Sequence, residues 1–306
     1  MATKPKSQPI SLIVTDIDNT VFDWVKYYVH SFGTLLHFVE KIIKVPYAQL
    51  AAEAREVFSA HGSIEYPFLI QELPSVEKHY GTNIDKMLNE AVEPGRLAFM
   101  KTAEDHFHTY EGVIDTLARI KSDYPDLPVV ALTDAPRYVA MWKLNKLGVL
   151  GYFNAVYGLA DPRIPTCEIT NRVKVDPEIL LKHLQQSNFG FDGKIRILPD
   201  EYEKPGVRGL KTVLMDFELD EKDRRHEVLW IGDNLRKDVG LGSKLGVQTV
   251  WASYGAAPGK DLLEKLAEFS PPQNIHKNAY IKVGTEEAPK PDHSIKNFRE
   301  LLEFLP

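Results

Sequence analysis

A short apolar segment that runs into two acidic residues constrains this chain more than any other feature. Residues Leu12 to Thr15 are apolar or β-branched, and a run of this length and composition predicts a buried β-strand. Asp16 and Asp18 follow at once. Ligands of open parallel sheets bind beyond the carboxyl ends of the strands, and two carboxylates there repel each other unless a cation or a shared proton relieves them. The segment therefore predicts a binding site; the simpler alternative is a strand that ends in turn residues.

Strand-like and helix-like patterns alternate along most of the chain. Further strands are predicted at Pro128 to Leu132, Asn154 to Gly158, Val228 to Ile231 and Val247 to Ala252. Helical patterns precede or follow these runs, and a last helix is predicted over Ile295 to Leu305. Such alternation predicts an α/β fold with a parallel sheet and right-handed crossovers.

The region from about residue 21 to 110 has a different character. Apolar residues recur at helical spacing from Trp24 to Lys44, and Ala48 to His61 predicts a second helix that ends at Gly62. No strand-like alternation occurs there, so we predict a helical module inserted after the first strand. Residues 23–108 form this module, and residues 1–22 and 109–306 form the core. We expect its aromatic residues to pack in its interior; they are Trp24, Tyr27, Tyr28 and Phe32.

The segment 160–203 is interrupted by several prolines, which are Pro162, Pro165 and Pro177. Pro177 to Gln186 fits a helix, and Lys194 to Leu198 alternates in the manner of an edge strand. We interpret the whole segment as an excursion from the main sheet.

Charge and composition narrow the classes of partner. The 306 residues carry a net charge of −6, which does not favour a nucleic-acid or acidic-membrane partner. Cys167 is the only cysteine, so no intrachain disulfide can form. The apolar run near the start is too short for a signal peptide, and no apolar stretch approaches the roughly 20 residues of a transmembrane helix. We expect a soluble, cytoplasmic protein in an oligomeric state that the sequence leaves open.

Four motifs stand in a fixed order at the ends of predicted strands or helices. They are Asp16-Ile-Asp18-Asn-Thr, Leu132-Thr133-Asp134, Lys204-Pro205 and Gly232-Asp233-Asn-Leu-Arg-Lys-Asp238. This order resembles the haloacid dehalogenase-like superfamily of hydrolases. The resemblance implies a Rossmann-like parallel sheet core with helices on both faces and a mobile helical cap, placed as in phosphoglycolate-phosphatase-like members.

The first motif offers the groups that phosphoryl transfer needs. The Asp16 carboxylate can attack phosphorus and form an aspartyl-phosphate, and Asp18 can act as general acid and then as general base. Mg²⁺ prefers hard oxygen ligands and would relieve the repulsion between carboxylates. The ligands that the resemblance implies are Asp16, the main-chain carbonyl of Asp18, and Asp233.

The other motifs supply phosphate contacts. Thr133 offers a hydroxyl, and the Asp134 amide is expected to open a helix, a favourable seat for a phosphate. Lys204 offers a positive charge to the phosphoryl oxygens. Asn234 and Asp238 are expected to support the site, with Asp238 orienting Lys204 or a metal-bound water.

Alternatives exist for each role. Thr133 or Asp134 could simply cap the helix that follows, and Lys174 competes with Lys204 for the third motif. An aspartate at position 134, where the resemblance makes asparagine or glycine commoner, adds a negative charge near the phosphate.

The function predicted from these motifs is a Mg²⁺-dependent phosphatase that hydrolyses a small phosphomonoester, so the expected partner is a small phosphorylated metabolite. A phosphomutase of the same superfamily, or a non-catalytic scaffold that docks partners on the cap, is the alternative. Dehalogenases of the superfamily lack an acid at the position of Asp18, so the resemblance argues against dehalogenation.

Overall fold

A parallel β-sheet organises the part of the chain that the computed structural model describes, residues 9–161, 187–271 and 288–305. Within these residues the strands are β1 (Leu12–Thr15), β2 (Val129–Pro136), β3 (Ala155–Leu159), β4 (Lys194–Leu198), β5 (Val228–Gly232), β6 (Gln248–Ala252) and β7 (His293–Ile295). They form one seven-stranded sheet in the order β4-β3-β2-β1-β5-β6-β7, with every neighbouring pair parallel. The predicted parallel sheet is confirmed.

The register of the central strands places their carboxyl ends side by side. Thr15, the last residue of β1, pairs with Ala131 of β2 and with Ile231 of β5. The Asp16 amide then donates to the Ile231 carbonyl at 2.8 Å. Residues that follow β1, β2 and β5 therefore meet at the same edge of the sheet.

A helical insertion separates β1 from β2, within the continuously described residues 9–161. Its helices are α1 (Trp24–Ile43), α2 (Tyr47–His61), α3 (Leu69–Glu72), α4 (Pro74–Tyr80), α5 (Ile84–Met87) and α6 (Glu93–His106). A π-helical turn, Leu88–Val92, joins α5 to α6, and α1 lies against α6. Asp23 caps α1 by accepting from the Lys26 amide at 2.9 Å. We call α1–α6 the inserted helices.

Five more α-helices lie within the described residues, outside the insertion. They are α7 (Val113–Asp123), α8 (Arg137–Lys146), α9 (Arg208–Asp216), α10 (Gly240–Leu245) and α11 (Lys260–Phe269). Side chains of β1 alternate between two apolar clusters, since Ile13 packs with α7 and α8 while Leu12 and Val14 pack with α9 and α10. Both faces of the sheet are thus buried, as expected for parallel strands.

Helix α11 packs against the inserted helices. The Phe269 side chain is fully buried, and its ring centroid lies 4.4 Å from that of Phe32 in α1. From α2, the Arg55 guanidinium donates to the main-chain carbonyls of Ala267 and Glu268. A helix that follows β6 therefore connects the inserted helices to the sheet.

Two expectations about the sheet edges were wrong. Lys194–Leu198 is an edge strand, as its alternation predicts, but it belongs to the main sheet and not to an excursion, because as β4 it pairs with β3 throughout. Its alternating, largely exposed side chains reflect that edge position. Ile295 does not open a helix: it ends β7, pairs with Ala252, and accepts from the Ser253 amide.

The helix near the carboxyl terminus is shorter than the predicted one, Ile295 to Leu305. A 3₁₀ helix spans Phe298–Phe304 and starts after Asn297, whose side chain accepts from the Arg299 amide at 2.9 Å. The predicted helix over Pro177 to Gln186 lies outside the described residues, as do residues 1–8. Among the described residues, no helix has both the length and the apolar character that crossing a bilayer requires.

The packing of α11 predicts a large loss of stability when Phe269 is truncated. We expect Phe269→Ala to lower the free energy of unfolding by about 3–5 kcal/mol, because it leaves a cavity between α11 and α1. Met215→Ala is the control, since Met215 is 61% exposed and should change stability by less than about 0.5 kcal/mol. Chemical denaturation measures both variants, and equal stabilities would contradict the packing described here.

Candidate active site

Acidic side chains from two neighbouring strands converge at the carboxyl edge of the sheet. Asp16 follows β1, Asp233 follows β5, and Asp238 lies in the π-helical turn Leu235–Val239. Each offers a carboxylate oxygen, and these oxygens lie within 4.8 Å of one another. All three residues are buried, with between 1% and 8% of their surface exposed. Three acidic groups this close repel one another strongly when they are ionised.

Lys204 places a positive charge among these carboxylates. Its Nζ lies 2.8 Å from Asp16 Oδ2 and 2.9 Å from Asp238 Oδ1, and the residue is only 6% exposed. The ammonium also lies 5.4 Å from the centre of the Trp230 ring. Lys174, the other candidate for the third motif, lies outside the described residues.

The loop after β5 is shaped by its own side chains. Asn234 Oδ1 accepts from the amides of Arg236 and Lys237, both at 3.0 Å, and so caps the π-helical turn. Asp238 Oδ2 accepts from the Asn234 amide at 3.0 Å. Gly232 must be glycine for this fold of the loop, since a Cβ there would lie 2.3 Å from Asp238 Cγ. The side chains of Asn234 and Asp238 thus support the site by accepting hydrogen bonds from main-chain amides of this loop.

Burial and mutual repulsion perturb the ionisation of the cluster. Desolvation raises the pKa of Asp16 to about 7, against the opposing effect of Lys204. Desolvation, together with Asp238 and Asp16, raises the pKa of Asp233 well above its usual range. Burial alone would lower the pKa of Lys204, but Asp16 and Asp238 outweigh it and raise that pKa.

The donor set fits a magnesium ion. The acidic side chains around Lys204 outnumber its single charge, and a divalent cation would relieve the repulsion that raises their pKa values. Carboxylate and carbonyl oxygens are the hard ligands that Mg²⁺ prefers. Asp16 and Asp233 would coordinate through their side chains. Asp238 adds a third carboxylate that the predicted ligand set did not include.

Asp134 does not open a helix, contrary to expectation. Strand β2 continues to Pro136, and α8 begins at Arg137, because a residue that precedes proline is driven toward extended backbone. The Asp134 side chain instead joins two other segments: Oδ1 accepts from the Lys204 amide at 2.8 Å and Oδ2 from Lys237 Nζ at 2.9 Å. The added negative charge at position 134 is therefore offset by Lys237.

Thr133 lies beside the cluster and is 2% exposed. Its hydroxyl oxygen accepts from the Ala135 amide at 3.1 Å, which leaves the hydroxyl hydrogen available to a ligand oxygen. A helix-capping role is not observed, because α8 has no side-chain cap.

Asp18 is contacted by a lysine that the sequence analysis did not single out. Lys143 Nζ lies 2.8 Å from Asp18 Oδ1 and 3.1 Å from Oδ2, and 2.8 Å from Glu65 Oε1. The pKa of Asp18 is raised, by desolvation first, with Lys143 opposing and Glu65 adding to the rise. Burial would lower the pKa of Lys143, but the two carboxylates raise it, so Lys143 is a cation.

The acidic cluster, Lys204 and Asp18 line one cavity of about 190 Å³. All the residues predicted from the motifs line it: Asp16, Asp18, Thr133, Asp134, Lys204, Asp233, Asn234 and Asp238. Trp24 also lines it, although it was predicted only as interior packing, and so do Glu65 and Lys237. It borders a second cavity of about 380 Å³, with which it shares Glu65, Asp134 and Glu203.

The sequence contained a signal for one of the two missed residues, Lys143, but none for the other, Glu65. Lys143 lies four residues before Leu147 on the inward face of α8, so a lysine at an otherwise apolar helical position was an available signal. Glu65 lies in the loop after α2, where no pattern distinguishes it from a solvated glutamate.

Solved structures of similar fold come from several bacteria. A 2-haloacid dehalogenase from Pseudomonas syringae pv. Tomato DC3000 has 14% identity and a TM-score of 0.55, over 96% of this chain and 97% of that chain. A protein assigned as a HAD-hydrolase, YfnB from Bacillus subtilis, was solved bound to magnesium. It has 13% identity and a TM-score of 0.49, over 97% and 99% of the two chains. At these identities the likeness concerns the fold alone.

The chain is also similar to a third solved structure and matches one family model. A predicted phosphoglycolate phosphatase from Haemophilus somnus 129PT has 14% identity and a TM-score of 0.42, over 96% of this chain and 97% of that chain. No curated protein matches this sequence. The model of the haloacid dehalogenase-like hydrolases matches residues 10–246, which include every motif of the cavity. The chain therefore belongs to the haloacid dehalogenase-like hydrolase family.

Proposed function

We propose that this protein is a Mg²⁺-dependent phosphatase that hydrolyses a small phosphomonoester through an aspartyl-phosphate on Asp16. The observation that carries the proposal is the buried cluster of Asp16, Asp233 and Asp238 around Lys204, with Asp18 beside it in the same cavity. A nucleophilic carboxylate, a cation site and a buried ammonium together match the needs of phosphoryl transfer.

The first half-reaction transfers the phosphoryl group to the enzyme. A carboxylate oxygen of Asp16 bonds to phosphorus while the ester P–O bond breaks. Lys204 and the Thr133 hydroxyl stabilise the charge on the phosphoryl oxygens. Mg²⁺, coordinated by Asp16, the Asp18 carbonyl and Asp233, would neutralise further charge and orient the phosphate. The ion pairs of Lys204 with Asp16 and Asp238 hold its ammonium beside the nucleophile.

Asp18 serves both half-reactions. Its carboxyl group donates a proton to the leaving oxygen as the ester bond breaks. The resulting carboxylate then takes a proton from water, whose oxygen attacks phosphorus, and the bond to Asp16 breaks to release inorganic phosphate. The raised pKa of Asp18 favours the protonated form that the first step needs.

Dehalogenation fits the site less well. A halide ion leaves without a proton, so a dehalogenase has no use for Asp18 as an acid. It also has no need of three buried carboxylates that require a cation. A phosphomutase would use the same first half-reaction and differ only in what accepts the phosphoryl group.

We further propose that residues 23–108 act as the cap of this enzyme and that residues 1–22 and 109–306 form its core. Trp24 of α1 and Glu65 of the loop after α2 line the same cavity as Lys204 and Asp233. The cavity of about 190 Å³ and the adjoining one of about 380 Å³ together lie within the usual range of roughly 300–1,000 Å³ for small-molecule sites.

Asp16→Asn should abolish turnover. An amide is a poor nucleophile and a weaker metal ligand, so we expect kcat to fall by about 10³-fold or more in a phosphate-release assay across a panel of phosphomonoesters. Asp126→Asn, at an exposed aspartate, is the matched control and should retain full activity. Retention of more than about a tenth of wild-type activity by Asp16→Asn would contradict the assignment of the nucleophile.

Metal removal should stop the reaction and lower stability. We expect activity to disappear in chelator and to return with Mg²⁺, because the carboxylates around Asp16 need a cation. Mg²⁺ at about 100 times its Kd should also add about 2.7 kcal/mol to the free energy of unfolding. Asp233→Asn should weaken both responses. Undiminished turnover after complete metal removal would rule out this cofactor.

Lys204→Met should slow catalysis by about 10²–10³-fold, the usual loss when an electrostatic donor is removed from a closed site. Lys211→Met, at a lysine with a half-exposed side chain, is the control. Thermal unfolding of both variants separates this effect from loss of the fold. If Lys204→Met is folded and as active as wild type, the phosphate-binding lysine lies elsewhere, and Lys174→Met is the next variant to measure.

A further inference from the structure

The buried ammonium of Lys143 has no part in the chemistry proposed above. Lys143 belongs to α8 and is 1% exposed, although lysine is rarely buried without paired charges. Its neighbours on the helix, Ala140 and Leu144, are fully buried apolar residues. An apolar residue would suit this part of the helix, so the charge calls for another explanation.

The contacts of Lys143 are directed at the candidate acid. Nζ lies within hydrogen-bond distance of both Asp18 oxygens, at 2.8 and 3.1 Å. It also lies 5.8 Å from the centre of the Phe22 ring, and Phe22 is fully buried. Contact with both oxygens restricts rotation of the Asp18 carboxyl group. Lys143 thus determines where the proton-donating oxygen lies.

A further contact of Lys143 comes from the loop between α2 and α3 of the insertion. Glu65 Oε1 lies 2.8 Å from Lys143 Nζ and accepts from Trp24 Nε1 at 2.9 Å. The preceding residue is fixed as well, because the Tyr28 hydroxyl donates to the Ile64 carbonyl. Trp24 and Tyr28 belong to α1, and their rings stack with centroids 4.9 Å apart. The position of Glu65 therefore depends on how the inserted helices pack.

We propose that Lys143 is a positioning residue for Asp18 and that Glu65 makes this positioning depend on the inserted helices. The proposal rests on the phosphatase function proposed above. Proton transfer to the leaving oxygen requires an acid within hydrogen-bond reach, about 2.6–3.2 Å. The ammonium sets the orientation of Asp18, and Glu65 completes the set of charges around the ammonium when the inserted helices lie over the site. The proposal assigns neither residue a contact with the phosphoryl group.

Two substrates with different leaving groups test the proposal. p-Nitrophenyl phosphate releases a phenolate that leaves with little help from an acid, whereas benzyl phosphate releases an alkoxide that needs a proton. Single-turnover rates of the phosphorylation step are measured for both, with wild type, Asp18→Asn and Lys143→Met. Lys146→Met, at an exposed lysine of the same helix, is the matched control.

We expect Lys143→Met to resemble Asp18→Asn in its selectivity. The benzyl phosphate rate should fall by about 10²-fold, near the lower end of what a positioned acid contributes, and the p-nitrophenyl phosphate rate by less than about fivefold. Lys143→Arg retains the charge and should recover most of the benzyl phosphate rate. Lys146→Met should match wild type on both substrates.

Glu65→Gln tests the contribution of the inserted helices. This variant keeps an oxygen that can accept from Trp24 and removes the charge. We expect a fall of about tenfold on benzyl phosphate and little change on p-nitrophenyl phosphate. Added to Lys143→Met, it should cause no further loss, because residues that act through one contact are not additive.

Several results would overturn the proposal. Equal slowing of both substrates by Lys143→Met would show a general structural role, and unchanged rates would show that Asp18 is positioned without it. If Lys143→Met fails to fold by circular dichroism, then Glu65→Gln decides: loss of neither substrate's rate, or equal loss of both, overturns the proposal. A folded Lys143→Arg that slows both substrates equally overturns it as well. A wild-type protein that hydrolyses neither phosphate ester would refute the proposed function and this inference together, whereas the other outcomes leave the phosphatase function standing.

Discussion

Repulsion among buried carboxylates is the constraint on which the rest of the site depends. Asp16, Asp233 and Asp238 have oxygens within 4.8 Å of one another, and Lys204 supplies their ammonium partner at 2.8 and 2.9 Å from Asp16 and Asp238. Burial first, and then repulsion from Asp238, raises the pKa of Asp16 to about 7 against the effect of Lys204. The charge of such a cluster must be offset by cations or protons, and a divalent ion would relieve the repulsion.

The sheet makes this repulsion unavoidable. β1 lies between β2 and β5 in matched register, so the polar residues after each strand must occupy one edge. The acidic loop can turn there because Gly232 has no side chain, which leaves room for the side chain of Asp238 against its backbone. Asp134 then joins the second and third motifs through the Lys204 amide, and Lys237 offsets its charge. The position at which the chain departs from the commoner family pattern is thus compensated within the site.

A second set of charges connects the sheet to the inserted helices. Lys143 lies between Asp18 and Glu65, and α11 packs Phe269 against Phe32 in α1. One contact lies inside the cavity and the other outside it, so movement of the inserted helices would disturb both charge pairing and apolar packing. The geometry of the candidate acid and the packing of the inserted helices are therefore coupled.

Local sequence was sufficient to predict the parallel sheet, the helical insertion and the motif residues around the cavity, because strand composition, helical spacing and polar residues at strand ends are all short-range signals. It was insufficient for β4, which looks like an excursion until it pairs with β3, and for Ile295, whose strand depends on β6. Nor could it predict the ion pairs of Lys143 with Asp18 and with Glu65, because these residues are far apart in the sequence. Ion pairs and sheet edges are created by the approach of distant segments, so only the tertiary structure decided them.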